Sequence, residues 1–192
     1  MAQGATQVLA FVGAPAAGKT EAASVAREMG VPVITMGDVI RDELSRRGLS
    51  LSDENAGRIA NELRAREGMD AIAKRCIPLI KRLEASGERN TKKKVIAIDG
   101  IRGIAEVETF KREFGTDFVL IRIDAPLILR YERITRRGRG DDHLSLEGFK
   151  ERAERENQWG MGEAMNQADK VVTNEGSLEE FKETIKRILT DI

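Results

Sequence analysis

Gly13-Ala14-Pro15-Ala16-Ala17-Gly18-Lys19-Thr20 sets two glycines, a lysine and a hydroxyl at the spacing G-x-x-x-x-G-K-[ST]. The chemistry of that pattern is polyphosphate binding. A loop that wraps an anion must bring its backbone N–H groups close to it, and glycines permit the approach. Lys19 adds a point charge for the terminal phosphates, Thr20 offers a hydroxyl to Mg²⁺, and a helix starting there presents the favourable end of its dipole. The small side chains of Ala14, Pro15, Ala16 and Ala17 leave room for the phosphates. Phosphoryl transfer needs positioning and charge neutralisation more than covalent help, and residues suited to both recur further along. Asp99 ends an apolar run, the form of a Walker B segment, where a carboxylate can orient a magnesium water. Arg133 and Arg137, one helical turn apart, can reach a developing phosphoryl charge together. Arg41 and Arg102 each follow a short segment after a strand end and are candidates for holding an anionic acceptor. Asp38 has three readings: a base toward a hydroxyl acceptor, an organiser of magnesium waters or of the loop beside a phosphate acceptor, or a helix N-cap.

The elements that must position these residues are legible as an alternation. Val8–Val12 reads as a buried strand before the loop, and Ala22, Val25, Ala26 and Met29 follow at helical spacing. Val31–Thr35 suits a second strand, and Met36 to Leu44 a helix opening with acidic residues near its start. Two helices then make an excursion over about residues 52–86. The first carries Ala56, Ile59, Ala60 and Leu63 and stops at Gly68; the second carries Ile72, Cys76, Leu79, Ile80 and Leu83, with Pro78 expected to kink it and Gly87 to end it. Val95–Asp99 is the next strand, followed by a helix around Val107, Phe110 and Phe114, then by the strand Phe118–Asp124. On the helix after Pro126, Leu127, Tyr131 and Ile134 mark one face, and Arg130, Arg133 and Arg137 another. Gly138 to His143 is short and charged, as suits a lid, and the lid region is expected over about residues 138–156. A long charged helix from Leu146, the strand Val171–Thr173 and a closing helix complete the chain. Such alternation implies an α/β fold with a parallel sheet covered on both faces, in one domain over residues 1–192.

Composition narrows the partners. Lys plus Arg and Asp plus Glu both number 32, so the formal net charge is zero and nothing in the balance points to nucleic acid or an anionic membrane. The single cysteine, Cys76, falls on an apolar stripe and reads as a buried, inert thiol. The N-terminus lacks a basic signal region and no apolar run approaches 18 residues, so a soluble cytoplasmic protein is expected, as a monomer or homodimer. His143 reads as a surface residue, and Trp159, Met161 and Met165, at near-helical spacing, as packing residues.

On these residues the chain resembles the adenylate-kinase-like branch of P-loop kinases along nearly its whole length. It is most similar to the archaeal family described as adenylate-kinase-related or dephospho-coenzyme A kinase-like. Met36-Gly37-Asp38-Val39-Ile40-Arg41 resembles the adenylate kinase motif Thr-Gly-Asp-Met-Leu-Arg, which implies an acceptor-phosphate role for Arg41. Met36 departs from it, where the motif's threonine helps hold the AMP base. Asp99-Gly100-Ile101-Arg102 resembles Asp-Gly-Phe-Pro-Arg with one residue missing, implying magnesium-water and phosphate roles for Asp99 and Arg102. Arg133 and Arg137 match the arginines of the helix entering the lid, the first lying against the donor adenine. Arg139-Gly140-Asp141-Asp142 is similar to the lid stretch Arg-x-Asp-Asp, and Arg152 matches the following lid arginine if two residues are inserted. The ending Ala168 to Glu180 resembles that of dephospho-coenzyme A kinases, whose Asn-x-Gly loop, here Asn174-Glu175-Gly176, lies beside the donor base. A GTPase-type Asn-Lys-x-Asp motif is absent, which favours ATP.

The resemblance implies a three-layer P-loop kinase fold with five parallel strands, the helical excursion as an acceptor-side wall, and a short lid. The implied activity is ATP- and Mg²⁺-dependent transfer of the γ-phosphate to a small nucleotide-like acceptor, foremost a nucleoside monophosphate. Dephospho-coenzyme A is the second acceptor to weigh. A P-loop ATPase or nucleotide switch acting on a protein or RNA partner is the alternative from another class.

Overall fold

The computed structural model describes residues 6–86, 94–137 and 145–191. In chain order the elements are β1 (Thr6–Val12), α1 (Lys19–Glu28), β2 (Val33–Thr35), α2 (Met36–Arg46), α3 (Asp53–Glu67), α4 (Ala71–Ser86) and β3 (Lys94–Asp99). There follow α5 (Ile104–Phe114), β4 (Phe118–Asp124), α6 (Leu127–Arg137), α7 (Leu146–Gln158), α8 (Met161–Asn166), β5 (Lys170–Thr173) and α9 (Leu178–Asp191). Among the described residues, five strands form one parallel sheet in the order β2-β3-β1-β4-β5.

Side-chain alternation along β1 shows why both faces of the sheet must be covered. Val8, Ala10 and Val12 enter the core shared with α2, α3, α4, α5 and α8, while Leu9 and Phe11 enter the core shared with α1 and α9. All five have no exposed surface. At about 1.5–3 kcal/mol for each large side chain fully buried, this strand alone strongly favours the sheet between two helical layers. Ile96 and Ile98 on β3 follow the first face and Ala97 the second, and on β4 Leu120 and Ile121 divide the same way.

Because every strand is parallel, Val12, Thr35, Asp99, Asp124 and Thr173 all end at one edge. The chain leaves β1 for one side of the sheet and crosses over it between β3 and β4, so the crevice where ligands of open α/β sheets bind opens at the end of β1. The helical excursion is present as α3 and α4. Gly68, with φ of 103°, stops α3, and α4 runs on through Pro78 to Ser86. Cys76 is wholly buried in it, and burial pushes its thiol up to about 12, as an inert thiol requires. No helix among the described residues is long and apolar enough to cross a membrane.

Candidate active site

The loop after β1 is held in shape by side chains from distant elements. Gly13 has φ of 155°, and a Cβ there would lie 2.4 Å from the Ile123 carbonyl oxygen on β4, so the loop leaves the sheet hard against its neighbour. Ala16 has φ of 60°, a left-handed conformation that costs an L-residue about 1–2 kcal/mol. The turn is closed by Ala17 N–H donating to the Ala14 carbonyl at 3.2 Å. Lys19 Nζ donates to the carbonyls of Gly13 and Ala14, the latter at 3.0 Å. Arg130 Nη1 donates to Pro15 O at 3.1 Å and Asn174 Nδ2 to Ala17 O at 2.8 Å. A peptide N–H points opposite to the carbonyl it shares a plane with. Engaging the carbonyls of Gly13, Pro15 and Ala17 therefore turns the N–H groups of Ala14, Ala16 and Gly18 away from these side chains, as an anion cradle requires. Gly18 then opens α1 at φ of 118°, with room for no Cβ: one would lie 2.5 Å from Asn174 Nδ2.

This loop, α6 and the segment after β5 enclose a cleft of about 500 Å³, lined among others by Lys19, Thr20, Arg133, Asn174, Leu178 and Phe181. Arg133 Nη2 donates to Asn174 O at 3.0 Å and to Asn174 Oδ1 at 3.1 Å, which locks the asparagine amide toward the loop. Arg133 Nη1 is buried with no hydrogen-bond partner among the described residues. Burial lowers the Arg133 pKa from its ordinary value. An orphaned guanidinium N–H on a residue lining this cleft fits an oxygen-rich nucleotide. Among the described residues no three acidic, histidine or cysteine side chains converge as a metal cage. Magnesium arriving with a nucleotide would meet the Thr20 hydroxyl, which lines this cleft.

The remaining candidates lie apart from this cleft. Asp99, at the end of β3, pairs in register with Thr35, and Gly100 packs on Met36, where an added Cβ would be 3.4 Å from Met36 Cβ. Met36 is only 2% exposed and belongs to the core. The N-cap of α2 is Thr35, one residue before Met36, so the cap reading of Asp38 is corrected: Asp38 sits in the first turn. There its carboxylate accepts from Arg41 Nε at 2.9 Å and from Arg41 Nη2, in a half-exposed pair. Arg102 stands exposed before α5. Its backbone N–H donates to Glu106 Oε2 at 2.7 Å, and Arg64 Nη2 approaches Glu106 Oε1 at 3.4 Å. Burial raises the Glu106 pKa, while the Arg102 N–H and the Arg64 charge pull it back down. The Arg64 guanidinium also lies over the Trp159 ring, 5.6 Å from its centroid.

Lys19, Thr20, Arg133 and Asn174 are thus brought together, and Asp38, Arg41 and Asp99 gather around the β2 and β3 ends. The side chains of Arg137 and Arg152, and all of Arg139 and His143, lie outside the described residues, as does the first part of the expected lid. Sequence reasoning missed the bracing by Arg130, whose partner is 115 residues away. It missed Glu106 as well, although an acid three residues after the Gly103 N-cap is a known helix-start pattern. The packing reading of Trp159 is also corrected. Met161 is buried and Met165 packs on the core, but Trp159 sits in the turn after α7, 40% exposed, where the helix period has already ended.

A family model described as "AAA domain" matches residues 12–150. A UPF0200/UPF0201 protein of Archaeoglobus fulgidus is 56% identical over 183 residues, which cover 95% of this chain and 55% of that protein, so the chain spans about half its length. A UPF0200 protein of Methanosarcina barkeri is 50% identical over 185 residues, 96% of this chain and 95% of its own. Among solved structures, a dephospho-CoA kinase from Campylobacter jejuni superposes with a TM-score of 0.63 over 97% of each chain at 15% identity, a likeness of fold. The chain therefore has a P-loop kinase fold and belongs both to the AAA-domain family matched by that model and to the archaeal UPF0200 proteins.

Proposed function

We propose that this protein is an ATP- and Mg²⁺-dependent phosphotransferase that moves the γ-phosphate of ATP to a small nucleotide-like acceptor, foremost a nucleoside monophosphate, in the cytoplasm. The observation that carries this reading is the division of labour at the sheet edge. A braced phosphate loop with Lys19 and a half-buried Arg133 lines a nucleotide-sized cleft, while Arg41, on α2, and Arg102, before α5, stand outside that lining. An ATPase that uses water needs no such second set of cations.

In this reading Lys19 leaves the loop carbonyls for the donor's terminal phosphates, and Arg133 and Arg137 neutralise charge as the γ-phosphoryl group departs from ADP. Magnesium bound with the nucleotide would supply charge neutralisation, and Thr20 and Asp99 would hold it directly or through water. A phosphate monoester acceptor is already ionised and needs no base. Asp38 then fixes the Arg41 guanidinium, as its paired hydrogen bonds do here, and Arg41 and Arg102 hold the acceptor's phosphate. The expected lid over about residues 138–156, with Arg139 and Arg152, closes over the donor, and α3 and α4 wall the acceptor side. Dephospho-coenzyme A is the second acceptor; the fold likeness to a dephospho-CoA kinase supports keeping it.

Arg41→Ala tests the acceptor half. Losing a charge-assisted phosphate contact is expected to lower kcat/KM for the acceptor on the order of 100-fold while ATP affinity, read by calorimetry, changes less than twofold. An unchanged rate of ADP formation in this variant would contradict an acceptor role for Arg41.

A further inference from the structure

Trp159 is the only tryptophan in the chain, and its surroundings fix it with unusual care for a residue outside the core. Gly103, the N-cap of α5, has no side chain, and a Cβ there would lie 1.9 Å from the Trp159 carbonyl oxygen. Gly160, at φ of 82°, reverses the chain immediately afterwards against Ile104, where a Cβ would meet Cγ2 at 2.7 Å. The turn is thus pressed onto the start of α5. Arg64, itself only 10% exposed, lies over the ring and is held in turn by the buried Glu106.

Trp159 is nevertheless 40% exposed, and Met69, from the turn between α3 and α4, is 45% exposed beside the same crevice. The exposed Arg102 lines it too. The crevice holds about 10 Å³, no more than one water, so a ligand can only lie across its rim. A rigid aromatic ring and a polarizable thioether, set out in water next to a cation, match one chemical class: a flat aromatic base joined to a phosphate. A sugar phosphate would use the cation and leave the ring wet.

We infer that Trp159 and Met69 form the platform on which the acceptor's nucleobase stacks while Arg102 holds its phosphate. This rests on the reading of Arg102 as an acceptor ligand, and it makes the acceptor a base-bearing nucleotide, with purines bound more tightly than pyrimidines because they cover more of the ring.

The lone tryptophan gives a readout that needs no turnover. Titration with AMP is expected to quench Trp159 fluorescence saturably, CMP more weakly, and ribose 5-phosphate not at all. Trp159→Ala is expected to raise KM for the nucleoside monophosphate about 10-fold with a much smaller change in kcat and in KM for ATP, while Trp159→Phe, which keeps a stacking face, recovers most of the loss. Equal quenching by ribose 5-phosphate would overturn the platform. So would phosphorylated product from AMP together with unmoved fluorescence and unmoved KM in both variants. AMP quenching without any phosphorylated product would instead overturn the kinase reading and keep the platform.

Discussion

One guanidinium, that of Arg130, serves three elements. Its Nε donates to Ala125 O at 3.0 Å at the end of β4, its Nη1 reaches Pro15 O in the phosphate loop, and its plane lies 5.6 Å from the Phe149 ring centroid on α7. Pro15 precedes the left-handed Ala16, so the contact falls where the loop stores strain and helps hold it there. Arg130→Met keeps an apolar stem against Phe149 and removes the donors. It is expected to weaken ATP binding about 10-fold, one hydrogen bond to a charged group, with the fold intact by circular dichroism. Unchanged ATP affinity by calorimetry would show that the loop holds its shape unaided.

The N-terminus of α5 joins two layers of the molecule. Glu106 accepts the Arg102 N–H, faces Arg64 across from α3, and so ties the excursion to the segment that carries Arg102. Removing one member of a buried ion pair leaves the other without its counter-charge. Because Arg64 retains some exposure, Glu106→Ala is expected to cost about 2–3 kcal/mol, read as a lower urea midpoint at unchanged m-value; a loss below about 0.5 kcal/mol would mean the two layers dock without it. Elements of this kind were legible in the sequence where one physical signal dominated. β1, β3 and β4 show as unbroken apolar runs because both their faces are covered, and α3 and α4 show as stripes because only one face is. The cap of α2 was not legible, since Thr35 and Asp38 are both capping residue types and only the backbone decides between them. Nor were Arg130 and Trp159, because what defines them is a partner far away in the chain or a close approach at Gly103, and spacing rules see neither.

Across the whole molecule, a chain of zero net charge sets four of its cations on segments that follow the strand ends. Lys19 and Arg133 follow β1 and β4, and Arg41 and Arg102 follow β2 and β3, with Asp99 at the end of β3. The most legible part of the candidate site was the phosphate loop, since it is contiguous, while Arg41 and Arg102 were legible only as candidates from their places after strand ends. The crevice at the start of α5 is assembled from α3, the turn before α4, α5 and the turn after α7, and folding alone brings those together. The destination of the γ-phosphate decides whether that assembly is a kinase. With γ-labelled Mg-ATP supplied alone, with AMP and with dephospho-coenzyme A, the label is expected in a phosphorylated acceptor, with ADP formation dependent on that acceptor being present. Label released as inorganic phosphate at the same rate with and without acceptor, and no phosphorylated product, would contradict it.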